Sequence, residues 1–143
     1  MAVEVRATKL AKAQIDLLRS KDGSAFASWL EDLRRRGCAA LDYRLTGDVV
    51  DRLCVRHIRG PLRAVVAFES SEEAVVLLVG PHDDQDPEID VYTRLYESLG
   101  LSVPAGRRTK PPCCSDLNEP PAWGAEIDDL VALFDAATRR RRR

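Results

Sequence analysis

Three side chains in the middle of this 143-residue chain have the types and spacing to do chemistry together. Arg63 stands in an apolar run, His82 follows the next apolar run, and Tyr92 lies ten residues further on. A guanidinium offers a planar fork that fits two phosphate oxygens. An imidazole takes up or gives back a proton near neutral pH. A phenol stacks on a ring or donates a hydrogen bond. If the chain brings them to one place, it can grip a phosphate and move a proton beside it.

The elements that would have to position them are legible as periodicities. Leu53 to Arg59 alternates as a strand, with Leu53, Val55 and His57 on one face and Cys54, Arg56 and Ile58 on the other. Gly60-Pro61 marks a turn. Leu62 to Glu69 is the next strand: Leu62, Ala64, Val66 and Phe68 point one way, Arg63, Val65 and Ala67 the other. Ala74 to Val79 is apolar throughout, as a strand covered on both faces should be. Asp86-Pro87 offers an N-cap followed by proline at the first helical position. The helix it opens carries Val91, Tyr92, Leu95, Tyr96 and Leu99 inward until Gly100.

Upstream, Val3 to Arg6 alternates as an opening strand, and Thr8 is placed to cap a helix reaching about Arg19. Lys21-Asp22-Gly23 interrupts that pattern, and Ser24 can cap a second helix with Phe26, Trp29, Leu30 and Leu33 inside. Arg34, Arg35 and Arg36 suit the negative end of its dipole, and Gly37 can end it in the left-handed region. Leu41 to Val50 is irregular. Beyond Leu101 the texture changes: five of the eight prolines fall between Pro104 and Pro121. A short stretch from about Ala125 to Thr138 could present Ile127, Leu130, Val131 and Phe134 as an apolar edge, before the basic tail Arg139 to Arg143.

The words Gly60–Phe68 (GPLRAVVAF), Ala74–Asp83 (AVVLLVGPHD) and Asp90–Leu101 (DVYTRLYESLGL) resemble the core of RelE/ParE-type toxins of type II toxin–antitoxin systems. The resemblance implies an α+β, RelE-like fold: an N-terminal strand and helical hairpin, a three-stranded antiparallel meander, and a C-terminal helix. It divides the chain into a toxin domain at 1–101 and a Pro-rich extension at 102–143. In ribonuclease members a Gly-Tyr-Arg-Leu-x-Tyr strand carries an arginine facing the scissile phosphate, and that position is Arg63. A histidine after the last strand and a tyrosine beyond it correspond to His82 and Tyr92. The implied activity is metal-independent mRNA cleavage, on the ribosome, by the RNA's own 2'-hydroxyl, with no cofactor. A base must take the hydroxyl proton, a cation must hold the phosphorane charge, and an acid must protonate the leaving oxygen. Arg52, Arg56 and Arg59 would hold neighbouring phosphates. The partners implied are a cognate antitoxin, mRNA and the ribosome.

Each residue also has a plainer reading. Arg63 can snorkel from a half-buried strand. His82 can serve only its turn, Tyr92 and Tyr96 can be core, and His57 can be a satisfied half-buried histidine. Asp83, Asp84, Asp86, Glu88 and Asp90 crowd the segment after the last strand, where the ribonuclease pattern is basic, and carboxylates beside a polyanion repel it. Two other functions stay open. One is a ParE-like inhibitor of DNA gyrase acting through the Lys9–Arg36 helical hairpin. The other is a domesticated member whose extension folds back over the antitoxin surface.

Composition sets the outer bounds. With 45% hydrophobic and 31% charged residues the chain can bury a core, and its net charge of -1 excludes a protein basic all over. No apolar run approaches a membrane span, and Met1 to Arg6 lacks the pattern of a secretion signal, so a cytoplasmic protein is expected. In such a reducing compartment Cys38 and Cys54 read as small buried apolar residues, and Cys113-Cys114 with a distant His as an outside zinc option.

Overall fold

The computed structural model describes residues 2–105 and 109–141. The architecture is mixed α+β, with a five-stranded sheet and, among the described residues, four α-helices. In chain order these are β1 (Glu4–Ala7), α1 (Lys9–Asp16), α2 (Ser20–Arg36), β2 (Tyr43–Arg44), β3 (Leu53–Arg59), β4 (Leu62–Ser70), β5 (Glu73–Pro81), α3 (Val91–Ser98) and α4 (Ile127–Arg141). The sheet order is β1-β5-β4-β3-β2, with β1 parallel to β5 and every other pair antiparallel. No described helix is long and apolar enough to cross a membrane.

Alternation along β3 and β4 divides the interior into two layers. Leu53, Val55, Val65 and Ala67 face a front core with α3 and α4, while Cys54, Ala64, Val66 and Phe68 face a back core with α2. In β5 the alternation slips: Leu77 and Leu78 both join the front core, where the register with β4 shifts between Val65 and Val66. This bulge returns Val79 to the back and puts Gly80 opposite Arg63. Where β1 ends, β5 would show unsatisfied backbone groups. The β1–α1 junction meets them: the Thr8 hydroxyl donates to Leu77 O at 2.6 Å, and Gln14 Oε1 accepts from Val79 N at 2.7 Å. Thr8 also caps α1 by accepting from Ala11 N at 3.0 Å.

Two helix starts differ from the sequence expectation. The break between α1 and α2 lies at Leu17–Arg19, and Lys21, Asp22 and Gly23 belong to the first turn of α2. Asp22 is favourable there because a carboxylate complements the positive end of the helix dipole. Helix α3 begins at Val91 with Asp90 as its N-cap, and Asp86 to Ile89 is a separate turn. Asp90 wins because its carboxylate reaches several donors at once, as described below.

The residues after Leu101 belong to both cores. The Pro111 carbonyl accepts from Arg44 N at 2.7 Å on edge strand β2. Cys114 is then bridged to Cys38 and Cys113 to Cys54, with Cα separations of 5.4 and 5.7 Å. The reading of Cys38 and Cys54 as reduced apolar residues is corrected here: they sit in the back core as half-cystines, and no cysteine is free. The chain then pairs Ala122 with Phe68 and inserts Trp123, whose Nε1 donates to Arg52 O at 2.9 Å. Ile127, Leu130 and Phe134 of α4 enter the front core, and Phe134 is fully buried. The apolar edge expected at Ile127, Leu130 and Phe134 thus folds back onto the sheet and completes the front core. The side chains of the Arg139–Arg143 tail lie outside the described residues.

Candidate functional site

Arg63, His82 and Tyr92 line one cavity of about 560 Å³ on the front of the sheet. Three strand ends make its floor. His57 on β3 lies directly across from Arg63 on β4, and Gly80 on β5 flanks Arg63 on the other side. Helix α3 supplies Asp90, Tyr92, Thr93 and Tyr96 as one wall. Tyr43 from β2 closes the far end, and Val103, Pro104, Thr109 and Lys110 form the outer wall.

The imidazole is held by a carboxylate. His82 Nδ1 donates to Asp90 Oδ1 at 2.9 Å. Asp90 also accepts from Asp83 N at 2.7 Å, and from both the amide and the hydroxyl of Thr93 at 2.9 Å. Burial opposes ionisation of Asp90, but the hydrogen bonds from His82, Thr93 and Asp83 outweigh it and hold its carboxyl below the ordinary aspartate value. An ionised carboxylate only accepts, so the neutral ring carries its proton on Nδ1 and keeps a lone pair on Nε2. The His82 ring meets Tyr92 edge-on, with centroids 4.9 Å apart.

The phenol belongs to a second network. The Tyr92 and Tyr43 hydroxyls are 2.7 Å apart, and Tyr43 is 3.4 Å from His57 Nε2. Burial and the Tyr43 hydroxyl push the Tyr92 phenol far above its usual range, against a smaller opposing pull from Arg63. Tyr92 is therefore a neutral donor and not a phenolate. One hydroxyl hydrogen is used between the two phenols, and the other stays available. Burial, then the positive charge of Arg63, lower the His57 pKa; Lys110 and Arg56 add to this and Asp42 opposes it.

Arg63 is oriented from its own turn. Its Nη1 donates to Gly60 O at 2.6 Å and to Leu62 O at 3.3 Å, while its buried Nε has no hydrogen-bond partner.

The other three arginines expected at the site are not among the residues lining this cavity. Arg52 pairs with Glu126 at 3.0 Å and covers the Trp123 ring at the opposite end of β3. Arg56 points to the back face and pairs with Asp42 at 3.3 Å, and Arg59 pairs with Asp22 of α2 at 3.0 Å. Strand alternation separates Arg56 from the front-facing His57 beside it. The acidic segment is less hostile than its composition suggests. Asp83 and Asp86 accept from the backbone of Gln85 and Glu88 within their own turns, and the oxygens of Asp90 are taken up by its own donors. Of that cluster, Asp84 and Asp90 line the cavity. No group of three or more potential metal ligands occurs among the described residues.

Sequence reasoning missed Tyr43, Asp90 and Lys110 as site residues, and read His57 as a satisfied half-buried histidine, whereas it is exposed and lines the cavity. Asp90 carried a usable signal, because an Asp three residues before Thr93 fits an N-cap. Tyr43 and Lys110 carried none, since only the edge pairing of β2 and the path of the C-terminal arm bring them here.

No protein-family model matches the chain, and no curated protein does. Among solved structures, the toxin–antitoxin complex RelBE2 from Mycobacterium tuberculosis superposes with a TM-score of 0.47 and 18% identity. The alignment covers 55% of this chain and 96% of that one.

Proposed function

We propose that this chain is the toxin of a type II toxin–antitoxin pair and acts as an mRNA endoribonuclease that arrests translation. The observation that carries the reading is the meeting of Arg63, His82 and Tyr92 on one cavity, with Asp90 fixing the histidine tautomer. In this reading His82 Nε2 takes the proton of an RNA 2'-hydroxyl. The 2'-oxygen forms a bond to phosphorus as the bond to the 5'-oxygen breaks, leaving a cyclic phosphate and a free 5'-hydroxyl. Arg63 compensates the charge that develops on the phosphoryl oxygens. Tyr92 donates a hydrogen bond to the leaving oxygen, with the Tyr43 hydroxyl behind it; that oxygen takes its proton from water, and protonated His82 returns its own to water. RNA fits better than duplex DNA because the nucleophile is the 2'-hydroxyl itself, and because a splayed single strand can place a base against the Tyr92 and Tyr96 wall. The partner is an antitoxin that covers this cavity, and the setting is the cytoplasm.

The test is expression of R63A/H82A beside the wild type, with growth and ribosome-dependent cleavage of a defined mRNA as readouts. Loss of both activities in a variant that still melts cooperatively supports the reading. Toxicity that survives the double substitution refutes it. The helical hairpin gains no comparable support, because Arg34 pairs with Glu31 and both Arg35 and Arg36 pair with Asp32.

A further inference from the structure

The outer wall of the cavity comes from the arm that the two disulfides hold. Lys110 lines the cavity with its ammonium 5.0 Å from the centre of the Tyr43 ring. Arg52, Arg56 and Arg59 each have a carboxylate partner, whereas Lys110 has none among the described residues. With Arg63, Lys110 gives the cavity two cations beside its two carboxylates Asp84 and Asp90, and an anion held near both cations gains from each.

What keeps Lys110 there is short and stiff. Pro111 and Pro112 follow it, each with a ring-fixed φ, and Cys113 and Cys114 come next. Cys113 ties this lever to β3 through Cys54, and Cys114 ties it to the turn after α2 through Cys38. A further tie near Lys110 is the Arg44–Pro111 backbone hydrogen bond on a two-residue edge strand. A Pro-rich segment has little apolar area with which to hold itself down.

We propose that Lys110 is a phosphate-contacting residue of this cavity, and that the Cys38–Cys114 and Cys54–Cys113 bridges set whether it is seated there. The inference rests on the RNA-binding reading of the same site. Reduction by a dithiol converts each bridge to two thiols, transferring two electrons and two protons and leaving the dithiol oxidised. Cys114 is the half-exposed sulfur, so a thiolate attacks there and releases Cys38 first; the buried Cys54–Cys113 bridge follows. In a cytoplasm that keeps thiols reduced, the complete phosphate site would form when a small-molecule disulfide takes two electrons and two protons from each thiol pair and is itself cleaved to two thiols.

The experiment uses the full chain and a fluorescent single-stranded oligoribonucleotide with 2'-O-methyl groups, which removes the nucleophile. Binding is followed by anisotropy across a potassium chloride series, before and after a dithiol reductant, with circular dichroism on the same samples. The expected result is that K110A weakens binding several-fold and lowers the salt slope by about 0.7, the share of one phosphate contact to a single strand. Reduction of the wild type reproduces that loss, and reduction of K110A adds nothing to it. Binding by K110A equal to wild type, while R63A is impaired, overturns the role of Lys110 and leaves the proposed function standing. Binding by the wild type that ignores the reductant overturns the part played by the bridges, as does reduction that simply unfolds the chain. Failure of the oxidised wild type to bind the oligonucleotide overturns the inference together with the function on which it rests.

Discussion

Asp90 joins the stability of α3 to the state of the proposed base, and two substitutions separate the two roles. Its carboxylate is buried, caps the helix through Thr93, and accepts from His82 and the Asp83 amide. D90A loses the N-cap, worth about 1 kcal/mol. It also leaves the Asp83 amide short of an acceptor, costing about 1 kcal/mol or more where water is excluded. The expected loss is about 2 kcal/mol. D90N keeps a side-chain oxygen for the cap but offers His82 no carboxylate, so it should lose only about 1 kcal/mol. Its effect on cleavage should be far larger. Without the carboxylate the ring is free to carry its proton on either nitrogen, and a positioned general base contributes about 10²–10⁴-fold. D90N should therefore fall toward the rate of H82A, and the D90N/H82A double variant should be little worse than either. The pH dependence follows from the lowered Asp90 pKa. Its contribution to stability is complete above the ordinary aspartate value of 3.8 and is lost as pH falls through the lower folded-state value, so the acid limb of a urea-midpoint profile should flatten in D90N. Equal stability losses in D90A and D90N, or a D90N enzyme with wild-type cleavage, would refute this account.

Three further outcomes follow from the same geometry. F134A removes a fully buried ring from the front core and should cost about 3–5 kcal/mol by thermal or urea unfolding, which would be unexpected of a dispensable extension. Y92F keeps the ring against His82 but deletes the donor, so cleavage should drop at least tenfold while oligonucleotide binding changes little; equal losses in both would make Tyr92 a binding residue only. The His57 pKa is lowered by burial and then by Arg63, so the fold favours its neutral form. Its stabilising contribution is present above the unfolded value near 6.5 and lost as pH falls through the folded value. Wild-type urea midpoints should decline toward pH 5 more steeply than those of H57Q.

The sequence by itself determined β3 and β4 and their faces, because a period of two is a local property and each apolar residue of these strands votes for the same side, whereas the two-residue β2 lay in a stretch read as irregular. It also singled out Arg63, His82 and Tyr92, since each stands near a strand end or on a helix face next to a turn. Helix starts were less legible. Asp86-Pro87 satisfies local capping rules as well as Asp90 does, and the choice fell to donors such as His82; α2 starts at Ser20 behind Arg19, which makes no side-chain cap bond, so Ser24 was passed over without a competing cap. The bulge at Leu77–Leu78 lay beyond reach because an unbroken apolar run hides a slip in alternation. Tertiary structure alone decided that Tyr43, His57 and Lys110 face the same cavity, that Arg52, Arg56 and Arg59 are neutralised elsewhere, and that the cysteines pair across 76 and 59 residues. Chain neighbours fix what a side chain can do. Which charges meet, and which cancel, depends on how a distant proline-rich arm is led round the edge of the sheet.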